Sequence, residues 1–184
     1  DAPRGAFIQR DKKSYAIVPR IPAGLVTPDF LENVARVARK YNIPIIKLTS
    51  AQRLALVGLP PEKVEEVWAE LGIDVGPAVG PCVHYVKACP GTAACRFGIL
   101  DSLGMGLRLE KEFLGLELPA KFKIGVSGCP NKCGEAYVRD IGLFGKKAGW
   151  TFIFGGNSGA RPRLGDIIAE NLNDDQVVEL AHKC

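Results

Sequence analysis

The sequence is poor in several features that would place it in a specialised class of protein. Its 184 residues include 8% aromatic residues and one methionine, and no apolar stretch approaches the roughly 20 residues of a membrane-spanning helix. Lysine and arginine are spread beside acidic residues and give a net charge of only +4, so no basic stripe indicates nucleic-acid binding. The first residues, DAPRGAFIQR, lack the basic and apolar regions of a secretory signal. We therefore expect a cytoplasmic protein that binds neither membrane nor nucleic acid.

The remaining composition is that of a globular protein whose chain is often interrupted by turns. It is 47% hydrophobic and 24% charged, with 21 glycines and 13 prolines. A chain of this length can bury a core without disulfide bonds. Residues 73–81, IDVGPAVGP, are rich in glycine and proline and lack periodicity, which marks the best boundary in the chain. We expect an α/β (α+β) fold with two domains, residues 1–76 and residues 77–184.

Periodicity and capping residues predict the elements on both sides of this boundary. In the first domain we expect strands at residues 14–20, 45–49 and 54–58, and helices that begin at Thr27-Pro28-Asp29 and near Pro61, with Gly72 after the second helix. In the second domain we expect a helix from Ala94 to Phe113, a strand at 121–127, a short helix at 133–139, strands at IGLFG and WTFIFGG, and two terminal helices starting near Leu164 and Asp174.

Cysteine is the residue type that carries most information about chemistry. Four of the six cysteines form two close pairs in turns of glycine and proline: ACPGTAAC holds Cys89 and Cys95, and GCPNKC holds Cys129 and Cys133. In a reducing compartment, paired cysteines indicate metal ligands or redox groups. Four thiolates from two loops suit tetrahedral zinc or a [4Fe–4S] cluster, and the spacings C-x5-C and C-x3-C favour iron–sulfur. The alternative interpretation is four buried structural cysteines.

These two cysteine motifs, in this order, resemble those of the sirohaem and [4Fe–4S] nitrite and sulfite reductases. The segment KLTSAQRLALVGLPPEKVEEVWAEL resembles the end of their ferredoxin-like half-domain, and CPGTAACRFGILDS, LPAKFKIGVSGCPNKCGEA, DIGLFG and FIFGGNSGARPR resemble successive blocks of their metal domain. The resemblance covers nearly the whole chain and is strongest to single-repeat members, the small assimilatory-type sulfite reductases and the sirohaem domains of nitrite reductases. It implies a ferredoxin-like half-domain followed by a mixed α/β domain that binds sirohaem and a [4Fe–4S] cluster.

The resemblance also assigns roles to individual residues. It implies that Cys89, Cys95, Cys129 and Cys133 ligate the cluster, and that Cys133 shares its thiolate with the sirohaem iron. Sirohaem carries many carboxylates, and burying them requires cationic or hydrogen-bonding partners. The positions at which the family contacts sirohaem or its surroundings are occupied here by Arg96, Asn131, Lys132, Asn157, Arg161 and Arg163, with Lys47 and Gln52 as further candidates in the half-domain.

Two lysines ahead of the second cysteine pair are the candidate catalytic residues. Lys121 and Lys123 alternate along one predicted strand, so their side chains face the same side. The resemblance implies that lysines of this LPxKFK segment line the substrate pocket, where they bind anionic sulfite or nitrite and help to supply protons. The alternative interpretation is a solvent-exposed strand face that precedes the cluster loop.

Three features distinguish the chain from the large members of that family. Those members contain two copies of the fold with the active site between them, whereas this sequence has one copy. Val18 stands where large sulfite reductases present an arginine to substrate, and no G-x-G-x-x-G motif for a flavin or nicotinamide occurs between a strand and a helix. We therefore expect a homodimer, with a longer chain or a partner subunit that covers the same face as the alternative. We also expect an external electron donor, either a ferredoxin-like protein or a reductase subunit.

Three functions are compatible with these residues. The first is a sirohaem-dependent reductase of sulfite to sulfide, with reduction of nitrite to ammonia as the near alternative. The second is a non-catalytic electron-transfer or cofactor-carrying module of a larger complex. The third is a structural zinc protein. An absorption spectrum distinguishes them, because sirohaem has its own Soret and red bands, a bare cluster gives a broad shoulder, and zinc gives neither.

Overall fold

The computed structural model describes residues 3–77 and 79–184, which form two β-sheets with helices packed on one face of each. The strands are β1 (Ala6–Ile8), β2 (Tyr15–Ile17), β3 (Ile45–Leu48), β4 (Leu54–Leu59), β5 (Val83–Ala88), β6 (Phe122–Ser127), β7 (Ile141–Lys146), β8 (Gly149–Phe154) and β9 (Asp166–Leu172). The α-helices are α1 (Pro28–Lys40), α2 (Val64–Leu71), α3 (Ser102–Phe113) and α4 (Asp174–His182). Within these described ranges, no helix combines the length and the apolar character needed to cross a membrane.

The first sheet is antiparallel, in the order β1-β2-β4-β3, and α1 and α2 share one hydrophobic core with it. Helix α1 starts where predicted because the Thr27 side chain caps it, accepting a hydrogen bond from the Phe30 amide at 3.2 Å. Gly72 ends α2 in the left-handed conformation, with φ of 60°. Strand β1 was not predicted, because three residues carry too little alternation to be recognised.

The second sheet has five strands in the order β5-β6-β7-β8-β9. Strands β5, β6 and β7 are parallel, whereas β8 and β9 continue the sheet in antiparallel pairs. Helices α3 and α4 pack on one face, where Leu109 and Val177 are fully buried against Val126 and Leu143. Because β5 and β6 are parallel neighbours, the loops that follow them meet at the same edge of the sheet. We call this the carboxyl edge and the opposite one the amino edge.

The long helix predicted from Ala94 is wrong in its first part, since α3 begins at Ser102. The preceding residues form a loop whose backbone is bonded to the next cysteine motif: the amides of Ile99 and Leu100 donate to the Gly128 carbonyl at 2.9 and 3.0 Å. Asp101 then caps α3 by accepting from the amide of the third helical residue at 2.9 Å.

The helix predicted near Leu164 is also wrong, because residues Asp166–Leu172 form β9. This segment pairs antiparallel with β8, and sheet pairing outweighs its local helical pattern. The short helix predicted at 133–139 is reduced to a single 3-10 turn over Ala136–Val138. Helix α4 forms as predicted, but its cap is Asn173, in a capping box with Gln176.

Side-chain hydrogen bonds hold the two halves of the chain against each other. The buried carboxylate of Glu110 on α3 accepts hydrogen bonds from the Arg20 guanidinium and the Ala23 amide, both at 3.0 Å. The Gln52 side-chain amide donates to the Ala88 carbonyl at 2.9 Å and accepts from the Ala88 amide at 3.1 Å. The first half of the chain therefore holds the end of β5, the strand that leads into the first cysteine motif.

Candidate metal centre and cationic sheet face

The two cysteine motifs lie side by side at the carboxyl edge of the second sheet. Cys89 directly follows β5, and Cys129 follows the end of the parallel neighbour β6 by two residues. The loops touch through backbone: a Cβ on Gly128 would lie 2.7 Å from the Gly91 Cα, and one on Gly98 would lie 2.5 Å from the Gly91 carbonyl carbon. Only glycine permits so close an approach, so these glycines serve to bring the cysteine loops together.

The sulfur of Cys89 accepts a hydrogen bond from a backbone amide and lies beside a buried hydroxyl. Its Sγ accepts from the Gly128 amide at 3.1 Å and lies 3.2 Å from the Oγ of Ser102, which is fully buried. The Ser102 hydroxyl also donates to the Cys89 carbonyl at 2.8 Å. An amide donor directed at a sulfur stabilises a thiolate and tunes the potential of an iron–sulfur cluster. The surroundings of Cys89 therefore fit a cluster ligand.

The other three cysteines of the motifs have graded exposure: Cys129 is buried, Cys95 is half-buried and Cys133 is exposed. All four are free thiols. In the part of the chain that the structure describes, no group of three or more His, Cys, Asp and Glu side chains is close enough to ligate a single metal ion. A [4Fe–4S] cluster takes four thiolates around a group of atoms rather than around one ion. The two contacting loops carry four free thiols, which is the number of thiolates that such a cluster takes.

The structure divides the other predicted site residues between the two edges of the sheet. At the carboxyl edge lie three residues in or beside the cysteine motifs: Arg96, Asn131 and Lys132. At the amino edge lie Lys121 and Lys123, at the start of β6, and the loop after β8 that contains Asn157, Arg161 and Arg163. Strand β8 runs antiparallel to β7, so its end meets the start of β6 and β7. The predicted residues therefore form two groups instead of one.

The loop at the amino edge is held mainly by its own hydrogen bonds. The Asn157 side chain donates to the Arg161 carbonyl at 2.9 Å, and the backbones of Asn157 and Arg163 bond each other at 2.9 and 2.8 Å. The Arg163 guanidinium donates to the Gly155 carbonyl at 2.8 Å and pairs with Asp166. The exposed Arg161 side chain forms no ion pair in the described residues.

The two candidates from the half-domain have separate surroundings. Lys47 is exposed on the edge strand β3, and its ammonium group donates to the neighbouring Leu48 carbonyl at 2.8 Å. Gln52 uses both atoms of its side-chain amide on the backbone of Ala88. Gln52 therefore positions the strand before Cys89.

Sequence analysis missed a cationic cluster on the face of the second sheet that α3 and α4 leave free. Tyr85 and Lys87 of β5 point to this face, because their neighbours Val86 and Ala88 lie in the core on the other side. The Arg139 side chain crosses the face above Gly125, where a Cβ would lie 2.9 Å from its Cγ. The side chain of Arg53, which belongs to the first half of the chain, lies over the ring of Tyr85.

Burial shifts the pKa values of the titratable side chains on and beside this face. Burial lowers the pKa of Lys87, and the charge of Arg139 lowers it further. Burial also raises the pKa of Tyr85, while the charges of Arg139 and Arg53 oppose this shift. Burial raises the pKa of Asp140, although its carboxylate accepts a hydrogen bond from the Lys123 amide at 2.8 Å. The face is a place where positive charge is concentrated and partly withdrawn from water.

Comparison with protein families identifies the class. Residues 7–72 match the nitrite/sulfite reductase ferredoxin-like half domain, and residues 79–184 match the nitrite and sulphite reductase 4Fe-4S domain. The chain belongs to the nitrite and sulfite reductase family, which comprises oxidoreductases that carry sirohaem and a [4Fe–4S] cluster. The glycine contacts between the loops, the donors around Cys89 and the cationic face are consistent with these cofactors.

Individual relatives are similar over almost the whole chain. An assimilatory-type sulfite reductase of Nitratidesulfovibrio vulgaris is 61% identical over 183 residues, which is 100% of this chain and 84% of the relative. An NAD(P)H nitrite reductase of Bacillus subtilis is 40% identical over 96% of this chain but only 22% of its own length. The structure of the Mycobacterium tuberculosis NirA protein shares the fold, with a TM-score of 0.79 over 95% of this chain and 35% of its own, at 18% identity.

Proposed function

We propose that the protein reduces sulfite to sulfide with the aid of sirohaem and a [4Fe–4S] cluster. The observation that carries this proposal is the 61% identity to an assimilatory-type sulfite reductase over the whole chain. In this reaction sulfite takes up six electrons and seven protons, and hydrosulfide and three water molecules leave. The coupled cluster and sirohaem supply the electrons when bound. Nitrite reduction is the second candidate, because relatives 40% and 37% identical are nitrite reductases.

In this proposal the carboxyl edge binds the cofactors. Cys89, Cys95, Cys129 and Cys133 would ligate the cluster, and Cys133 would be the ligand that the cluster shares with sirohaem. The exposure of Cys133 supports this role, since a shared ligand must be reachable from outside its loop. Arg96, Asn131 and Lys132 stand beside the motifs and supply donors for sirohaem carboxylates. The loops would hold the cofactors in a fixed position, and the cofactors would supply electrons to the substrate.

The amino edge binds the substrate in this proposal, and a second copy of the chain would cover it. Lys121 and Lys123 lie at the opposite end of β6 from Cys129. Lys123, the nearer of the two lysines, is separated from Ser127 by about 13 Å along the strand. Two copies related by a two-fold axis could close each other's substrate side against water. We therefore propose a homodimer.

The edge strand β3 supports a dimer formed through the first domain. All four of its residues are exposed, including Ile45 at 52%, Ile46 at 46% and Leu48 at 73%. An apolar edge strand with unpaired backbone groups is a natural site for pairing with a second strand. Pairing β3 with its counterpart would extend the four-stranded sheet across the two-fold axis.

Adding charge to this edge should therefore separate the dimer. We expect Ile46→Lys combined with Leu48→Lys to halve the mass measured by light scattering, from twice 19.8 kDa to 19.8 kDa, and to abolish turnover. Leu31→Lys is the matched control, because Leu31 is 47% exposed on α1 and lies away from the strand edge. A wild-type protein of 19.8 kDa with full activity would exclude the dimer.

The activity itself is tested on anaerobically purified protein with reduced methyl viologen as the external electron donor. We expect sirohaem bands in the spectrum, sulfide as product, and a higher kcat/KM for sulfite than for nitrite. A higher value for nitrite would favour the second candidate. A brown cluster spectrum without sirohaem bands or turnover would instead favour the electron-transfer module. We place the reaction in the cytoplasm, where the six free thiols remain reduced.

A further inference from the structure

The buried hydroxyl of Ser102 has one proton and two acceptors within reach, both of them on Cys89. Its Oγ lies 2.8 Å from the Cys89 carbonyl oxygen, to which it donates, and 3.2 Å from the Cys89 Sγ. A serine hydroxyl has a single O–H donor, which rotates to suit its surroundings, and two acceptor lone pairs. The side chain can therefore give a full hydrogen bond to the carbonyl or to the sulfur, but not to both at once.

Both cysteine loops leave room for this hydroxyl. Ser102 is the first residue of α3, and its amide donates to the Leu100 carbonyl at 3.0 Å. A Cβ on Gly91 would lie 2.3 Å from the Ser102 Oγ, and one on Gly128 would lie 3.1 Å from it. Glycine at these two positions therefore leaves the space that the hydroxyl fills.

The state of the Cys89 sulfur decides which acceptor the hydroxyl serves. In the free thiol, the S–H can donate to the Ser102 Oγ while the hydroxyl donates to the carbonyl, so each polar group has a partner. A cysteine that ligates a cluster has no proton on sulfur and can only accept. If the hydroxyl stayed on the carbonyl, an oxygen lone pair would face a negatively charged sulfur. Because Ser102 is fully buried and Cys89 is 8% exposed, no water would relieve that contact.

We propose that Ser102 is a positioning residue that raises the reduction potential of the cluster, because its hydroxyl turns from the Cys89 carbonyl to the Cys89 sulfur when Cys89 is a ligand. A hydrogen bond to a ligand sulfur favours the reduced cluster, since the added electron makes the sulfur more negative. No covalent bond changes in this step: the electron comes from the external donor, and the proton stays on the Ser102 oxygen. The inference rests on the proposed function for the assignment of Cys89 as a ligand.

The test is a dye-mediated redox titration of the full chain, purified anaerobically with its cofactors and followed by EPR of the reduced cluster. In Ser102→Ala we expect the equilibrium constant for one-electron reduction to fall about tenfold, which lowers the midpoint potential by about 59 mV. Ser102→Thr keeps the hydroxyl and should keep the wild-type potential. An unchanged potential in Ser102→Ala would overturn the proposal. A higher potential would also overturn it, since the hydroxyl would then have stayed on the carbonyl with its oxygen facing the sulfur.

Ser127→Ala is the matched control, because Ser127 is an equally buried serine beside the cysteine loops. Its hydroxyl accepts from the Gly134 amide at 2.9 Å and forms no hydrogen bond with a cysteine in the described residues. Ser127→Ala should therefore weaken the loop and leave the potential of the bound cluster near the wild-type value. A merely structural role for Ser102 would give the same result in Ser102→Ala: less iron and sulfide per chain, at an unchanged potential.

If Ser102→Ala does not retain the cluster, Ser102→Cys decides, because a thiol is a weaker hydrogen-bond donor than a hydroxyl. A potential below that of the wild type supports the proposal, and a wild-type potential overturns it.

Failure of the proposed function has a different signature, because the potential of the cluster is measured without sulfite. A lower potential in Ser102→Ala, together with a wild-type protein that forms no sulfide, contradicts the activity and leaves the role of Ser102 intact. Wild-type iron and sulfide content in Cys89→Ala would instead contradict the ligand assignment and overturn the proposal with it.

Discussion

Cys129→Ala is expected to reduce iron and sulfide content to near zero and to destabilise the second domain strongly. Cys129 is buried at the end of β6, and its loop contacts the first cysteine loop through glycine backbone. A ligand whose concentration is more than a hundred times its Kd stabilises the folded state by about 3 kcal/mol or more. This stabilisation is lost when the cluster is lost. Iron and sulfide analysis, with anaerobic denaturant unfolding, measures both effects.

Two further cysteine variants make this result specific. Cys82→Ala is the matched control, because Cys82 is also buried but lies outside both motifs. It should keep wild-type iron and sulfide. Cys133→Ser should retain less cluster than wild type, since a serine oxygen ligates iron more weakly than a thiolate. Full iron and sulfide in Cys129→Ala would contradict the ligand assignment.

Local signals predicted those parts of the fold that depend on local physics. Thr27 and Gly72 mark helix ends because a side-chain cap and a left-handed residue act within one turn of chain. Strand β9 has no such signal: Ile167 and Ile168 are exposed, at 48% and 51%, and the segment is a strand only because β8 pairs with it. Pairing between distant segments is the information that a local pattern lacks.

The same limit applies to the candidate site. In sequence, Lys123 is only six residues from Cys129, and this proximity suggests one pocket. Because β6 is extended, each of those residues adds to the distance along the strand. The lysines and the cysteine therefore lie at opposite ends of β6. Conversely, Arg53 and Arg139 are far apart in the chain and belong to no common motif. Only the structure brings both to the ring of Tyr85.

Changing Lys121 and Lys123 together to methionine is expected to lower sulfite turnover by about a hundredfold or more, which is the typical effect of removing groups that stabilise charge in a transition state. The lysines stand at the amino edge, exposed and half-buried. In the proposed function they would supply positive charge and protons to an oxyanion that loses oxygen as water. Cofactor content should stay normal, because the cysteine loops lie at the other edge. Steady-state kinetics on protein with measured iron and sirohaem content tests this.

The control for the lysine variant is Lys147→Met, which makes the same chemical change in the exposed turn between β7 and β8. It should reduce sulfite at the wild-type rate. The split between kcat and KM then separates two roles of the lysines: loss of anion binding raises KM, whereas loss of proton supply lowers kcat. Wild-type rates with both sulfite and nitrite in the double lysine variant would show that these side chains form only a solvent-exposed strand face.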